Sequence, residues 1–230
     1  MREARQKETP HHAGHRDRLR ERFLKSPDSL PDYELLELLL FLAIPRRDVK
    51  PLAKTLLVQF KDLNGVLNAP MSELTSISGI SDNTATALKI MRESGLRVLK
   101  QNVIKQPVLN SWARLIEYLT AAMAQEKKEH FRLLFLNKKN ELIADEVQGS
   151  GTVDHTPAYP REIIKRALEV GATALILVHN HPSGDPSPSP ADVTLTNAVI
   201  DAAKAFDIVI HDHIIISQNG HVSFRNEGLI

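Results

Sequence analysis

The hydrophobic periodicity of the chain changes near Lys127, and this change constrains the fold more than any other sequence feature. Before it, apolar residues recur every three or four positions in segments such as YELLELLLFLAI and VKPLAKTLLVQF. After it, short alternating or branched runs such as FRLLFLN and TALILVHNH are interspersed with helical patterns such as PREIIKRALEVG. We therefore predict an all-helical domain, residues 1–105, followed by an α/β (α+β) domain, residues 106–230, in which helices flank a mixed sheet.

The two predicted parts differ in charge. Residues 1–105 contain 18 Lys or Arg and 13 Asp or Glu, whereas residues 106–230 contain 11 and 15. A net-positive first part favours contact with a polyanion, although chance variation between domains gives the same asymmetry. The segment GHRDRLRERF fits either a basic helix or arm that contacts DNA phosphates or a solvated helix paired with its own acids. Its candidate DNA contacts are Arg16, Arg18, Arg20 and Arg22.

Composition excludes several kinds of site. The chain has no cysteine, which rules out disulfides, thiolate zinc sites and the P-C-x-x-C signature of cytidine deaminases. Any metal has to be held by His, Asp or Glu. The N-terminal residues lack the apolar stretch of a secretory signal, and LLELLLFLAI is too short to span a membrane. We expect a cytosolic (cytoplasmic) protein without a membrane partner.

The stretch HNHPSGDPSPSPAD, residues 179–192, follows the apolar run ALILV and combines an H-x-H pair with a proline-rich segment. Side chains two apart on a strand share a face, so His179 and His181 are predicted to emerge together at the end of a strand. Two imidazoles on a rigid strand can fill two positions of a tetrahedral zinc site. A lone histidine in such a place is more often structural, but the pair favours a metal site.

A third ligand has to be a carboxylate, and Asp185 and Asp192 lie nearest in the sequence. Ser189 and Asp192 also fit the N-cap and third position of a helix that begins at Pro190, so capping alone explains them. A carboxylate in that first turn can also point back at the strand end, so the two roles are compatible. Asp185, beside a glycine and a proline, fits a turn residue.

A hydrolytic zinc site also needs a general base that is not a ligand. Alternation in the predicted hairpin places Leu142, Ala144, Glu146 and Gln148 on one face and Asp145 on the other. Glu146 is the best candidate, because the GSG that follows leaves room for close approach. An ordinary solvated strand residue is the alternative interpretation.

Together these residues resemble a known motif. H-x-H-P-S-G-D-P-x-P-S-x-x-D with an upstream glutamate is similar to the motif of the JAMM (MPN+) zinc metallopeptidases. The longer pattern, from PRE through HNHPSGDPSPSPAD to DHIIIS, resembles the bacterial RadC family, also called UPF0758 and described as DNA repair proteins. GHRDRLRERFL and SLPDYELLELLL resemble the N-terminal part of that family, so the resemblance covers nearly the whole chain.

The resemblance implies a JAMM/MPN-type fold and a role for each motif residue. His179, His181 and Asp192 would bind Zn2+. Glu146 would activate a water molecule as general base and then protonate the leaving amine, while Ser189 would help to stabilise the oxyanion. The implied reaction is cleavage of an amide or isopeptide bond in a peptide or protein substrate, which the resemblance does not name. No further cofactor is expected.

A second H-x-H pair, His211 and His213 in VIHDHIIIS, lacks a nearby carboxylate other than Asp212. The resembling family shares the Asp212-His213 pair, whereas His211 is a departure from it. We predict that Asp212 and His213 support the metal ligands or pack within the sheet. A second metal site is the alternative.

The segment LTSISGISDNTATALKI, residues 74–90, has the outline of a helix-hairpin-helix. In that motif, backbone N–H groups of the turn and of the next helix hold a DNA phosphate, which makes Gly79 and Ser81 candidate contacts. Ser81 stands where the motif usually has a second glycine, and Asp82 adds negative charge. A hairpin used for packing or for protein contact is therefore equally consistent.

Two functions from different classes follow. The first is a zinc-dependent JAMM-type hydrolase whose helical module binds DNA or a protein. The second is a DNA-binding repair or recombination factor whose metal site is structural or vestigial. The sequence leaves the substrate and the oligomeric state open.

Overall fold

The structure, a computed structural model, describes residues 14–104, 107–150 and 159–230, with backbone alone at residues 149 and 150. The part of the predicted basic arm before Gly14 and the predicted boundary residue Gln106 lie outside these ranges. The chain divides into two units, Met1–Ser94 and Gly95–Ile230. The division falls within one long helix, so residues 95–104, which were predicted to belong to the first domain, are part of the second unit.

The first unit is helical, as predicted. Its core is formed by aliphatic side chains that recur at helical spacing, among them Leu36, Leu40 and Leu56, each at most 1% exposed. One short helix, Leu63–Asn68, was not predicted from the sequence, because Gly65 interrupts its apolar pattern. The Asp62 carboxylate caps its N-terminus by accepting a hydrogen bond from the Gly65 N–H at 2.6 Å. The helices are α1 (His15–Lys25), α2 (Asp32–Ala43), α3 (Lys50–Phe60), α4 (Leu63–Asn68), α5 (Met71–Thr75) and α6 (Asp82–Ile104).

The second unit contains a five-stranded mixed sheet flanked by helices, which confirms the predicted fold class. In the order β2-β1-β3-β4-β5, neighbouring strands run antiparallel except for the parallel pair β3 and β4, which α9 connects. Its elements are α7 (Trp112–Met123), β1 (His130–Leu136), β2 (Leu142–Ser150), α8 (Pro160–Glu169), β3 (Ala174–Asn180), α9 (Pro190–Lys204), β4 (Val209–Ser217) and β5 (Gly220–Ser223).

Both faces of the sheet are covered. Helix α7 packs on one face and helices α8 and α9 pack on the other. Strand β3 lies at the centre, and all seven of its residues are buried. This burial explains why ALILV reads as an uninterrupted apolar run and not as an alternating one.

An irregularity in the hairpin changes one predicted face. The register between β1 and β2 shifts between Phe135 and Leu136, so Leu142 pairs with Leu136 and packs on the α7 side. Ala144 pairs with Phe135 and contacts the opposite core. The prediction that Leu142 and Ala144 share a face was therefore wrong, because simple alternation does not allow for a β-bulge.

Among the helices in the described part of the chain, none combines the length and the apolar character needed to cross a lipid bilayer.

Candidate metal centre

His179 and His181 stand at the end of the central strand β3. His179 pairs with Phe131 of β1 and is 1% exposed. His181 lies just beyond the strand and is more accessible, but its N–H donates to the Ile216 carbonyl of β4 at 2.9 Å. This bond continues the parallel ladder past the assigned end of β3, so the two imidazoles are held by one extended segment.

The first turn of α9 supplies the carboxylate. The Ser189 hydroxyl accepts from the Asp192 N–H at 3.2 Å, and the Asp192 Oδ2 accepts from the Ser189 N–H at 2.8 Å. This reciprocal capping box fixes the Asp192 side chain against the helix N-terminus, where a negative charge is favourable. Asp192 Oδ1 lies 3.3 Å from His179 Nε2, so capping and approach to the histidines occur together.

Three ligand-type atoms converge at this point. The Nε2 atoms of His179 and His181 are 2.9 Å apart, and the Asp192 carboxylate lies 3.3 Å from the first and 3.6 Å from the second. One ligand atom from each residue lies within 4.8 Å of the other two. Two imidazole nitrogens and one carboxylate oxygen are a donor set that suits zinc and leaves a fourth position for a water molecule or a substrate.

A chain of hydrogen bonds fixes where the protons of these histidines lie. The Thr196 hydroxyl, 2.6 Å from the Asp192 carbonyl, can only donate to it, so it accepts from His213 Nδ1 at 2.6 Å. Neutral His213 then accepts, through Nε2, a bond from His179 Nδ1 at 2.8 Å. His181 Nδ1 donates to the Asp185 carbonyl at 2.8 Å. In their neutral form, His179 and His181 therefore both carry the proton on Nδ1 and direct an Nε2 lone pair into the cluster, as a metal site requires.

The electrostatics of the cluster suit a cation. Burial raises the pKa of Asp192, but in the metal-free cluster the hydrogen bonds that His179 and His181 donate when Nε2 is protonated outweigh it and hold that pKa well below its usual range. The Asp192 carboxylate, which accepts a hydrogen bond from protonated His181, raises the pKa of His181. Complete burial lowers the pKa of His213 well below its usual value, which keeps this residue neutral. Asp192 is thus ionised at neutral pH, the state in which a carboxylate binds a metal.

Asp185, the other carboxylate considered from the sequence, is engaged in a local turn. Its Oδ1 accepts from the Ser187 N–H at 2.9 Å in a local turn, and its backbone carbonyl is what contacts His181. The turn chemistry expected for this residue is present, and its side chain is not part of the ligand group.

Glu146 lies on the same face of the sheet as the histidines. It pairs with Leu133 of β1, which pairs with Leu177 of β3, two residues before His179. Two strand spacings, about 10 Å, separate its backbone from β3. Its carboxylate is bound by the Arg166 guanidinium of α8, and hydrogen bonds from Arg166 hold the pKa of Glu146 below its ordinary value. Arg166 was not identified from the sequence, because the ion pair joins two elements that are far apart in the chain.

The second H-x-H pair divides into two different environments. His213 is fully buried and supports His179, as described above. Asp212 is also buried, but it binds the start of the C-terminal segment, accepting from the N–H groups of Arg225 and His213 and from the Ser223 hydroxyl. His211 bonds to the Asn140 side chain at 2.7 Å, at the opposite end of the sheet from the cluster. Thr196 was not identified from the sequence, since a threonine in a helix is an ordinary residue.

The predicted DNA contacts of α1 mostly have partners within their own unit. Arg16 donates to the carbonyls of Ile44 and Arg47 and stacks on Phe41. Arg20 pairs with Asp17 at 2.6 Å and Arg22 pairs with Glu34, whereas Arg18 lies beside Gly14. The solvated, acid-paired interpretation of the helix therefore describes Arg20, whose partner lies on the same helix, whereas Arg22 binds the largely buried carboxylate of Glu34 in α2.

The predicted hairpin between α5 and α6 is a tight turn. Gly79 has a φ of +98°, a conformation that favours glycine, and the Arg47 guanidinium lies against it, 3.4 Å from where a Cβ would stand. The Ser81 hydroxyl accepts from the Thr84 N–H at 3.3 Å, which caps α6.

Comparison with known families agrees with this geometry. The sheet and its flanking helices match those of a JAB domain, and the family model described as a RadC-like JAB domain matches residues 109–229. A second family model, UPF0758 N-terminal, matches residues 11–86. The chain belongs to the RadC family. A JAB domain with this ligand group is consistent with a metal-dependent hydrolase.

Proposed function

We propose that the second unit is a zinc-dependent hydrolase that cleaves an amide or isopeptide bond. The convergence of His179, His181 and Asp192, with the lone pairs of both histidines directed inward, is the observation that supports it. Zinc bound by these residues would polarise the scissile carbonyl and lower the pKa of a water molecule.

The side chains around the ligands supply the rest of the chemistry. Glu146, once released from Arg166, takes a proton from the attacking water and passes it to the leaving amine. The Ser189 hydroxyl hydrogen is not used in the capping box, where that oxygen only accepts, and it can donate to the developing oxyanion. His213 and Thr196 hold His179 in the tautomer that binds metal.

The test separates metal binding from proton transfer. Zinc content and hydrolysis of a panel of linear and lysine-linked isopeptides are measured for the wild type, Glu146→Gln and Asp192→Ala. Glu146→Gln keeps zinc and loses about 100-fold to 10,000-fold in kcat. Asp192→Ala loses both zinc and activity, and Glu162→Gln, an exposed glutamate of α8, is the matched control that changes neither. Unchanged kcat in Glu146→Gln, or no cleavage by the zinc-loaded wild type, overturns the proposal.

The alternative function is DNA binding by the first unit, in a repair or recombination factor whose metal site is structural or vestigial. The Gly79 turn, with Arg47 against it and α6 starting at Asp82, favours this candidate, because a guanidinium and a helix N-terminus together attract a phosphate. Protein contact through the same hairpin is the competing use. Salt-titrated binding to single-stranded, duplex and branched DNA tests it.

We expect Arg47→Ala to reduce the affinity for DNA of every sequence. The slope of log affinity against log salt concentration should become smaller in magnitude by about 1. Arg114→Ala, in the second unit, is the matched control and changes neither quantity. Equal effects of the two substitutions contradict binding at the hairpin.

A further inference from the structure

Arg166 stands between two carboxylates on the exposed side of α8. Its Nε and Nη2 atoms donate to Glu146 at 2.9 and 2.6 Å, and its Nη1 donates to Glu169 at 3.0 Å. The guanidinium is thus bidentate toward Glu146, an arrangement that recognises the planar shape of any carboxylate.

The bond to Glu146 is open to competition. The side chains of Arg166 and Glu146 are 39% and 29% exposed, so water and solutes reach the pair. An ion pair this exposed is weakly held, because solvent screens the attraction and competes for its hydrogen bonds. A carboxylate on a bound ligand can therefore replace Glu146 without leaving a buried charge unpaired.

The pair also conflicts with the proposed role of Glu146. A general base has to present a free carboxylate oxygen to water, but here Arg166 contacts both oxygens. Glu146 is on the same sheet face as His179, and its backbone lies two strands away. It must leave the guanidinium before its side chain can extend across Leu133 toward the metal ligands.

We infer that Arg166 is a substrate subsite for a carboxylate: an acidic group of the substrate, close to the scissile bond, binds the guanidinium and releases Glu146 to act as base. The inference rests on the proposed function and extends it, since it names the substrates that are favoured, peptides and isopeptides with an acidic side chain or a free carboxyl terminus beside the cleaved bond. An uncharged substrate leaves Glu146 bound.

The charges around Glu146 predict that its pKa changes when it is released from Arg166. Hydrogen bonds from Arg166 lower the Glu146 pKa, while the neighbouring Asp145 on the opposite face raises it by charge repulsion. Glu169 shares Arg166 and stays bound to Nη1. Loss of the Arg166 bonds therefore raises the Glu146 pKa toward its ordinary value.

The experiment follows the Glu146 side-chain carboxyl carbon by NMR in the full chain, with and without zinc. The probes are acetyl-Gly-Gly-Glu-amide and its neutral counterpart acetyl-Gly-Gly-Gln-amide. We expect the glutamate peptide to raise the midpoint of the Glu146 titration and to shift the Arg166 Nε resonance, and the glutamine peptide to change neither. In Arg166→Gln we expect the midpoint of the Glu146 titration to be raised already without peptide and to change with neither peptide. Arg166→Lys keeps the positive charge but not the bidentate geometry, and we expect a weak response to the glutamate peptide.

Equal responses to the two peptides, no response in the wild type, or an unchanged response in Arg166→Gln overturns the inference. The resonances do not depend on turnover, so the two proposals fail separately. A positive NMR result with no cleavage of the peptide panel rejects the hydrolase and keeps the carboxylate subsite. Cleavage without any preference for acidic substrates rejects the subsite and keeps the hydrolase.

Discussion

The two H-x-H pairs of this chain have the same spacing and lie on adjacent parallel strands, but they have different environments. His179 and His181 end β3, and the helix that follows returns Asp192 to within 3.6 Å of both. His211 and His213 lie within β4, which continues for four residues beyond His213, as Ile214–Ser217. Strand position, and the element that comes next, therefore distinguish a pair that is placed to bind a metal from a pair that packs in the sheet.

The strongest test of this difference between the two pairs is to replace the more accessible histidine of each pair with alanine. His181→Ala removes one of the proposed ligand atoms. Loss of an outer hydrogen-bond partner costs about 100-fold in metal affinity at most, and we expect zinc affinity to fall by more than that in this variant. His211→Ala removes the bond to Asn140 but none of the three clustered ligand-type atoms, and it is expected to keep wild-type affinity. Chelator competition measures both dissociation constants. Equal losses in the two variants would place a metal at the second pair as well.

The parts of this centre that were predictable from the sequence are the local ones. The alternation of side chains along β3 predicted the face on which His179 lies, next to its partner Phe131 on β1. The capping pattern predicted that Asp192 lies in the first turn of α9. The contact between His179 and His213 depends on β4 being the neighbour of β3, which is a property of sheet order. The Glu146–Arg166 pair depends on where α8 packs. Neither leaves a periodic signal in the sequence.

A smaller effect is expected when the support of His179 is altered. Thr196→Val keeps the side-chain shape but removes the oxygen that accepts from His213, so the proton positions of the histidine chain are no longer fixed. We predict that zinc affinity falls by about 10-fold. Thr194→Val is the matched control, because the Thr194 hydroxyl also bonds to a carbonyl four residues earlier but contacts no histidine among the bonds described. Chelator competition at fixed pH measures the difference, and equal affinities of the two variants would contradict a role for the chain.

The smallest expected effect is on the pH dependence of stability of the zinc-free protein. The pKa of His181 is raised in the folded state, so its contribution is present below the unfolded value of about 6.5 and is lost as pH rises through the folded pKa. Burial lowers the pKa of His211, so the unfolded chain takes up that proton more readily and stability falls as pH drops below about 6.5.

Urea unfolding at about pH 8 and about pH 5 checks these opposite signs in chelator-treated protein. His181→Ala is expected to lose more stability at the lower pH, and His211→Ala to lose less there, each by about 1 kcal/mol at most. Changes of the same sign in both variants would contradict the environments described for the two pairs.

Zinc X-ray absorption of the loaded wild-type protein tests the central claim most directly. If the metal is held by the pair at the end of β3 together with Asp192, the spectrum shows two imidazole nitrogens at about 2.0–2.1 Å and oxygen ligands at about 2.0–2.2 Å. A shell of three or four imidazoles, or of oxygens alone, would contradict the assignment of His179, His181 and Asp192 as the ligands.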